Sequence, residues 1–96
     1  DPDTFVRAGD FIPDVAVDPN TGAAVVGPEI HARGFAEDDS VFDDVKPQIV
    51  EALREAAQNG IRDAGQLQQT VRRTVGRWVS TQHRRKPMIV PIVIEA

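Results

Sequence analysis

The first regular pattern along the chain is an alternation of apolar side chains with a period of two. Phe11, Val15 and Val17 share one face of a strand over residues 11–17, because successive side chains of a strand point to opposite faces. Pro13 cannot donate to a sheet ladder, so we expect this strand to lie at a sheet edge or to contain a bulge. The turn-forming residues 18–22 predict a hairpin into a second strand over residues 23–26. The segment that follows, up to Gly34, is expected to begin extended and to end in a loop.

Two amphipathic helices are predicted next. The first extends from a cap at Asp39 or Ser40 to about Asn59, with Gly60 as its stop signal. Pro47 falls inside this pattern and removes a backbone donor, so we expect a kink or a broken first turn there. At ~100° per residue the apolar side chains form one stripe. Its members are Phe42, Val45, Ile49, Val50, Leu53, Ala56 and Ala57.

The second helix is expected to start after Asp63, whose side chain can cap it in a variant of the capping box completed by Gln66. It continues to about His83, and Pro87 prevents any extension. Trp78 lies in the apolar stripe of this helix and is interpreted as a core or interface anchor rather than a ligand platform. The whole stripe consists of Leu67, Val71, Thr74, Val75, Trp78 and Val79.

The last apolar run, residues 88–94, is rich in β-branched side chains, too short for a typical buried helix, and predicted to be a third strand. The sequence therefore predicts an α+β fold of order β-β-α-α-β, in which a three-stranded sheet packs against two helices. The run is apolar at even and odd positions alike, so both of its faces need cover. Since the helices cover one face, we expect the even-numbered side chains to form a homo-oligomer interface on the other. These side chains are Met88, Val90, Ile92 and Ile94.

The composition limits the class of protein. With 96 residues, 41% of them hydrophobic and 27% charged, the chain has the size and balance of one globular domain. It has no cysteine, which excludes disulfides, zinc-thiolate sites and thiol nucleophiles. The final apolar run is far below the roughly 18 residues needed to cross a bilayer, so no membrane contact is expected. The chain begins with Asp1 rather than Met, and we interpret it as a fragment of a longer protein.

Candidate metal ligands and nucleophiles are sparse. His31 and His83 lie on different predicted elements and have no other His or Cys close in sequence, whereas a catalytic zinc site needs about three clustered ligands. Acidic residues at 37–39 and 43–44 gather where the first helix begins, and they are interpreted as helix capping, with weak cation binding as the alternative. No hydroxyl stands in a nucleophile-elbow setting. We therefore expect no catalytic residue and no metal site in this chain.

Charge is distributed unevenly along the sequence. Residues 1–48 carry 3 basic and 11 acidic groups, and residues 49–96 carry 8 and 4, which gives net charges of −8 and +4. On the polar side of the second helix and just beyond it, Arg73, Arg77 and Arg84 are candidates for contacts with RNA phosphates. A basic stripe opposite an apolar stripe is also what any solvated helix shows, and the aromatic platform of single-strand binders is absent. Both interpretations stay open from the sequence.

Three blocks of sequence resemble a known family. Residues 27–35 (GPEIHARGF), 71–78 (VRRTVGRW) and 84–95 (RRKPMIVPIVIE) resemble the C-terminal domain of bacterial ribonuclease J, in particular its actinobacterial members. The resemblance implies a three-stranded sheet facing two helices. It also implies that residues 11–96 are this domain and that residues 1–10 are the end of an interdomain linker.

The resemblance further implies what the parent protein does. Ribonuclease J is a zinc-dependent enzyme of the metallo-β-lactamase/β-CASP family, with 5′-to-3′ exonuclease and endonuclease activity in cytoplasmic RNA processing and decay. Its zinc motif, rich in His and Asp, belongs to an upstream domain and matches no position here, so no cofactor is expected in this fragment. The C-terminal domain of the family is implicated in oligomerisation and full activity.

Two functions are therefore considered. The leading hypothesis is a non-catalytic assembly domain that forms a homodimer or higher homo-oligomer, contacts the upstream catalytic domains of its own chain, and meets RNA through the parent enzyme. The alternative is a small RNA-binding module that uses the basic face of the second helix. A small hydrolase is not supported, because no constellation of catalytic side chains is present.

Overall fold

The elements follow one another in the predicted order, with the final strand divided in two. The computed structural model describes residues 10–33, 42–82 and 88–96. The α+β class and the element order are confirmed, while the sheet has four strands rather than three. The elements are β1 Asp10–Val17, β2 Ala24–Arg33, α1 Val45–Gln58, α2 Ala64–Gln82, β3 Met88–Ile89 and β4 Ile92–Glu95. The linker predicted for residues 1–10 lies outside the described residues except for its last position, as do the predicted caps Asp39 and Ser40.

β1 occupies the centre of the sheet. It pairs with β2 in antiparallel orientation and with both β3 and β4 in parallel orientation. The prediction of an edge position for this strand is therefore wrong, because Pro13 is accommodated in the middle of the sheet. The predicted bulge in β1 is not observed: the register with β2 shifts between Asp14 and Ala16 and again before Val17, and in both places the extra residue lies on β2.

A missing hydrogen-bond donor at Pro13 explains why the final strand is divided. Asp14 is level with Ile92 across the β1–β4 ladder, and the register is the same on both sides of the break. The N–H of Val90 donates to the carbonyl of Phe11 at 2.8 Å. In a parallel ladder the carbonyl of Val90 would accept in return from position 13 of β1, where proline has no N–H. Hydrogen bonding between the two strands is therefore interrupted at this point and resumes at Ile92.

β2 is longer than the sequence predicts. The hairpin turn is confirmed, since the N–H of Gly22 donates to the carbonyl of Asp18 at 2.7 Å. The predicted end of the strand at residue 26 is wrong, because Gly27 adopts a φ of +85° within the irregular pairing and the strand continues to Arg33. A Cβ at Gly27 would lie 3.0 Å from the carbonyl oxygen of Asp14. Glycine is needed here for both its conformation and its size.

The two helices begin where their first turns can be satisfied. α1 starts at Val45, two residues before Pro47, so the proline lies in the first turn, where backbone N–H groups lack intrahelical partners in any case. Residues 42–44 form a separate turn, which confirms the broken first turn. The predicted cap of α2 is also confirmed, because a carboxylate oxygen of Asp63 accepts the N–H of Gln66 at 3.1 Å.

Both helices contribute their apolar stripes to one core on one face of the sheet. The odd-numbered side chains of β1 face this core, as predicted. Val50, which the periodicity places in the stripe of α1, is 41% exposed, so that assignment is wrong. Trp78 is a core residue, with its ring centroid 6.2 Å from that of Phe11. The buried apolar residues are Phe11, Val15, Val17, Phe42, Val45, Ile49, Leu53, Ala56, Leu67, Val71, Val75, Trp78, Val79 and Val93.

Candidate interaction surfaces

The sheet face turned away from the helices carries a line of exposed apolar side chains along β3 and β4. Their exposed fractions are 63% for Met88, 42% for Val90, 37% for Ile92 and 53% for Ile94. We call these four residues the apolar strip. The predicted orientation of the even-numbered positions is confirmed, and their role in an oligomer interface stays a prediction.

Parallel pairing with β1 fixes this orientation. Val93 is level with Val15, and both are buried under the helices. Ile92 is level with Asp14 and Ile94 with Ala16, so these pairs point to the opposite face. The two isoleucines are thus exposed because their neighbour in sequence is required in the core.

The middle of the same sheet face, at Asp14 of β1 and residues 29–31 of β2, has a different chemistry, although Val26 at the start of β2 is apolar and 63% exposed. Asp14 is level with Glu29 across the β1–β2 ladder. His31 lies beside them, with its Nε2 3.8 Å from a carboxylate oxygen of Asp14. We call Asp14, Glu29 and His31 the acidic half of the face. This cluster was not predicted from the sequence, although the polar–apolar alternation of residues 29–33 is a strand signal that could have revealed it.

The predicted basic stripe lies beside a groove between α1 and α2. Arg73 and Arg77 are exposed, stand one helical turn apart and contribute to its wall. Neither is within 4.0 Å of a carboxylate in the part of the chain that the structure describes. Arg84, the third candidate, lies outside the described residues. The groove has a volume of about 230 Å³ and is lined by Ala52, Glu55, Ala56, Asn59, Ile61, Thr70, Arg73, Thr74 and Arg77.

Acidic side chains of α1 face the same region. Glu55 contributes to the groove wall, and Glu51 lines an adjoining depression together with Arg77. Glu51 is engaged by Arg54 in an ion pair, and the hydrogen bond from the guanidinium lowers the pKa of the carboxyl group. The groove is therefore lined by two arginines of α2 and by Glu55 of α1, with Glu51 close by, which makes it less attractive to a polyanion than the arginines alone suggest.

The described residues do not bring potential metal ligands together. Within ranges 10–33, 42–82 and 88–96, no three His, Cys, Asp or Glu side chains are placed to hold an ion. His31 belongs to the acidic half of the sheet, and His83 lies outside the described residues. The described residues do not fit a zinc centre. No helix in the same ranges is long and apolar enough to cross a membrane.

The fold and its surfaces define a small α+β domain with a solvent-facing apolar strip. The family model described as "Ribonuclease J C-terminal domain" matches residues 5–96. Ribonuclease J of Mycobacterium tuberculosis is 40% identical over 81 residues, which cover 84% of this chain and 14% of that protein. Ribonuclease J of Mycolicibacterium smegmatis shows the same identity and coverage. Ribonuclease J 2 of Staphylococcus aureus is 27% identical over 90 residues, 91% of this chain and 16% of that protein.

The chain belongs to the ribonuclease J C-terminal domain family. The family resemblance noted from the sequence is thereby confirmed. The predicted likeness to actinobacterial members is also confirmed, because two of the relatives are mycobacterial. The chain spans 14% of the length of the mycobacterial proteins that it matches.

Proposed function

We propose that this domain is an assembly module, which joins copies of a ribonuclease J through the apolar strip. The observation that carries the proposal is the alignment of four exposed apolar side chains, Met88 to Ile94, on the face that the helices leave uncovered. Scattered apolar side chains are normal on protein surfaces, whereas contiguous patches mark contact sites.

A second copy of the same domain is the occupant that the strip fits. A two-fold interface brings a surface against itself, so it requires a patch without charges that would repel their own copies. The strip meets this condition, because all four of its side chains are apolar. The acidic half of the face would not meet it.

The size of the strip sets the expected affinity. The exposed part of the four side chains amounts to a few hundred Å² per protomer, below the roughly 800 Å² per partner of a standard interface. At about 25 cal/mol per Å² the burial is favourable by several kcal/mol before the entropy of association is subtracted. We expect a weak dimer of the isolated chain, with a Kd on the order of tens of micromolar.

The parent protein in this proposal is a zinc-dependent ribonuclease with 5′-to-3′ exonuclease and endonuclease activity in cytoplasmic RNA processing and decay. The names of the relatives support the ribonuclease class. In this proposal the zinc and the catalytic residues belong to upstream domains of the same chain, which this domain would hold in a multimer. In that arrangement RNA meets the catalytic domains, and this domain contributes no catalytic group.

The experiment is a comparison of oligomer mass between two aspartate variants. Light scattering of the 96-residue chain at tens to hundreds of micromolar should give a mass above that of the monomer. Ile92→Asp should return it to the monomer, because the strip would bury an unpaired charge. Val50→Asp is the matched control, since Val50 is similarly exposed, at 41% against 37% for Ile92, but lies on α1. A wild-type chain that stays monomeric, or equal loss of dimer in both variants, would contradict the proposal.

The RNA-binding alternative rests on the two exposed arginines of α2, which have no ion-pair partner among the described residues. Glu55 in the groove wall counts against it, as does the burial of Phe11, Phe42 and Trp78, the aromatic residues within the described ranges. An interface built on the strip should keep its affinity in high salt, whereas RNA binding through arginines should weaken steeply.

A further inference from the structure

The open face of the sheet carries the apolar strip on one side and the acidic half on the other, with exposed Val26 near the start of β2. This division restricts how two copies can meet. The apolar strip runs along β3 and β4 at one side, and Glu29 and His31 lie on β2 at the other side. Asp14 lies between them on β1, level with Ile92. Adjacent strands are about 4.8 Å apart, so the strip and the β2 side chains are separated by roughly 10 Å.

Complete overlap of the two sheet faces is unfavourable in either orientation. If the strip of one copy covered β2 of the other, Asp14 and Glu29 would be buried against methionine, valine and isoleucine side chains without a partner charge. If β2 of one copy covered β2 of the other, the carboxylates of the two copies would face one another across sheets packed about 10 Å apart. His31 is the one described basic group in the acidic half, and it already lies beside Asp14.

We infer that the two copies stack with an offset, so that only the strips overlap and the acidic halves extend in opposite directions. The two-fold axis then runs along β3 and β4. In this arrangement Glu29 of one protomer is on the order of 20 Å from its symmetry mate, which is more than the Debye length of about 8 Å at physiological salt. Ile92 lies at the centre of the contact, and Asp14 lies at its solvent-exposed rim. The inference rests on the proposed assembly function and specifies its geometry.

Single-cysteine crosslinking can test the offset, because the natural chain contains no cysteine. Ile92→Cys and Glu29→Cys place one thiol each in the strip and in the acidic half. A short bifunctional thiol reagent should link the Ile92→Cys protein into a covalent dimer and leave the Glu29→Cys protein at the monomer mass. As a second measurement, Glu29→Lys should change the dimer Kd by less than about threefold, whereas a carboxylate inside the contact should change it by tenfold or more.

The outcomes separate this inference from the proposed function. Efficient linking of the Glu29→Cys protein, or a tenfold effect of Glu29→Lys, would overturn the offset and leave self-association in place. A chain that dimerises by mass but is not linked through Cys at position 92 would overturn both the offset and the use of the strip. A chain that is monomeric at all concentrations would remove the proposed function and the inference with it.

Discussion

At the scale of single residues, two glycines with left-handed backbone conformations distinguish the effect of backbone strain from the effect of steric crowding. Gly27 has a φ of +85° and Gly60 a φ of +79°. A Cβ at Gly27 would meet the carbonyl oxygen of Asp14 at 3.0 Å and the amide nitrogen of Glu29 at 3.2 Å, whereas a Cβ at Gly60 would meet nothing within 4 Å. Both positions strain an L-residue, and only Gly27 is also crowded by backbone that cannot move aside.

We therefore predict that Gly27→Ala destabilises the chain clearly more than Gly60→Ala does. The helix-end variant should lose roughly 1–2 kcal/mol, the ordinary strain of a left-handed alanine. The strand variant should lose roughly 2–4 kcal/mol, because the β1–β2 pairing must also open at the bulge. Urea unfolding followed by circular dichroism measures both. Equal losses would mean that the close approach of β1 and β2 is absent in solution.

The ion pair between Glu51 and Arg54 gives a pH-dependent prediction at the same scale. The hydrogen bond from Arg54 lowers the pKa of Glu51 below its ordinary 4.5. A carboxyl group with a lowered folded-state pKa stabilises the fold above its unfolded pKa, and this contribution is lost as pH falls through the folded value. Glu51→Gln should therefore lower the urea midpoint slightly at pH 7 in low salt, with no difference near pH 2. Because both groups are on the surface, high salt should also remove the difference.

At the scale of elements, the division between β3 and β4 should depend on Pro13 and not on Pro91. A valine at position 13 would supply the N–H that the carbonyl of Val90 lacks. The N–H of Val90 donates to β1, and the N–H groups of successive strand residues point in opposite directions. The N–H at position 91 would therefore point away from β1. We predict that Pro13→Val joins β3 and β4 into one strand and that Pro91→Val does not.

Amide hydrogen exchange measures this directly. The new amide at position 13 should be protected in the first variant, and the new amide at position 91 should exchange freely in the second. Overall stability should change little, because one added hydrogen bond, about 1 kcal/mol, is offset by the greater freedom of the unfolded chain once the proline is removed. Rapid exchange at position 13 would show that another cause divides the strand.

The elements also show which features of the fold can be predicted from the sequence and which cannot. The periods of two and 3.6 predicted the class, the order, the helical stripes and the outward direction of the even-numbered residues in the last strand, because each depends on local spacing. The central position of β1 and the break in the final strand could not be predicted. Both depend on which residue lies beside Pro13, and only the three-dimensional register brings Val90 there. The acidic half was missed for a different reason: the alternation of residues 29–33 is a strand signal, but it follows residues 27 and 28, which resemble strand breakers.

At the scale of the whole molecule, the question is whether the basic side of α2 binds RNA or is simply solvated. The net charge of the chain is −4, so it repels RNA at long range unless the arginines act locally. Each Arg→Glu or Lys→Glu change adds −2, so any double variant of this kind brings the net charge to −8. Two double variants with the same net charge can therefore distinguish phosphate binding at the groove from a general effect of net charge on RNA binding.

We predict that Arg73→Glu with Arg77→Glu, and Lys46→Glu with Arg62→Glu, weaken any residual binding of a short single-stranded RNA equally. The first pair lines the groove between α1 and α2, and the second pair lies outside that lining set. Fluorescence anisotropy over a series of salt concentrations gives both the affinity and its salt slope. If the groove contacts phosphates, only the first double variant should lose binding, and its salt slope should fall by roughly 0.7 for each contact removed. Equal, small effects would mean that the arginines keep the face hydrated and make no specific contact with phosphates.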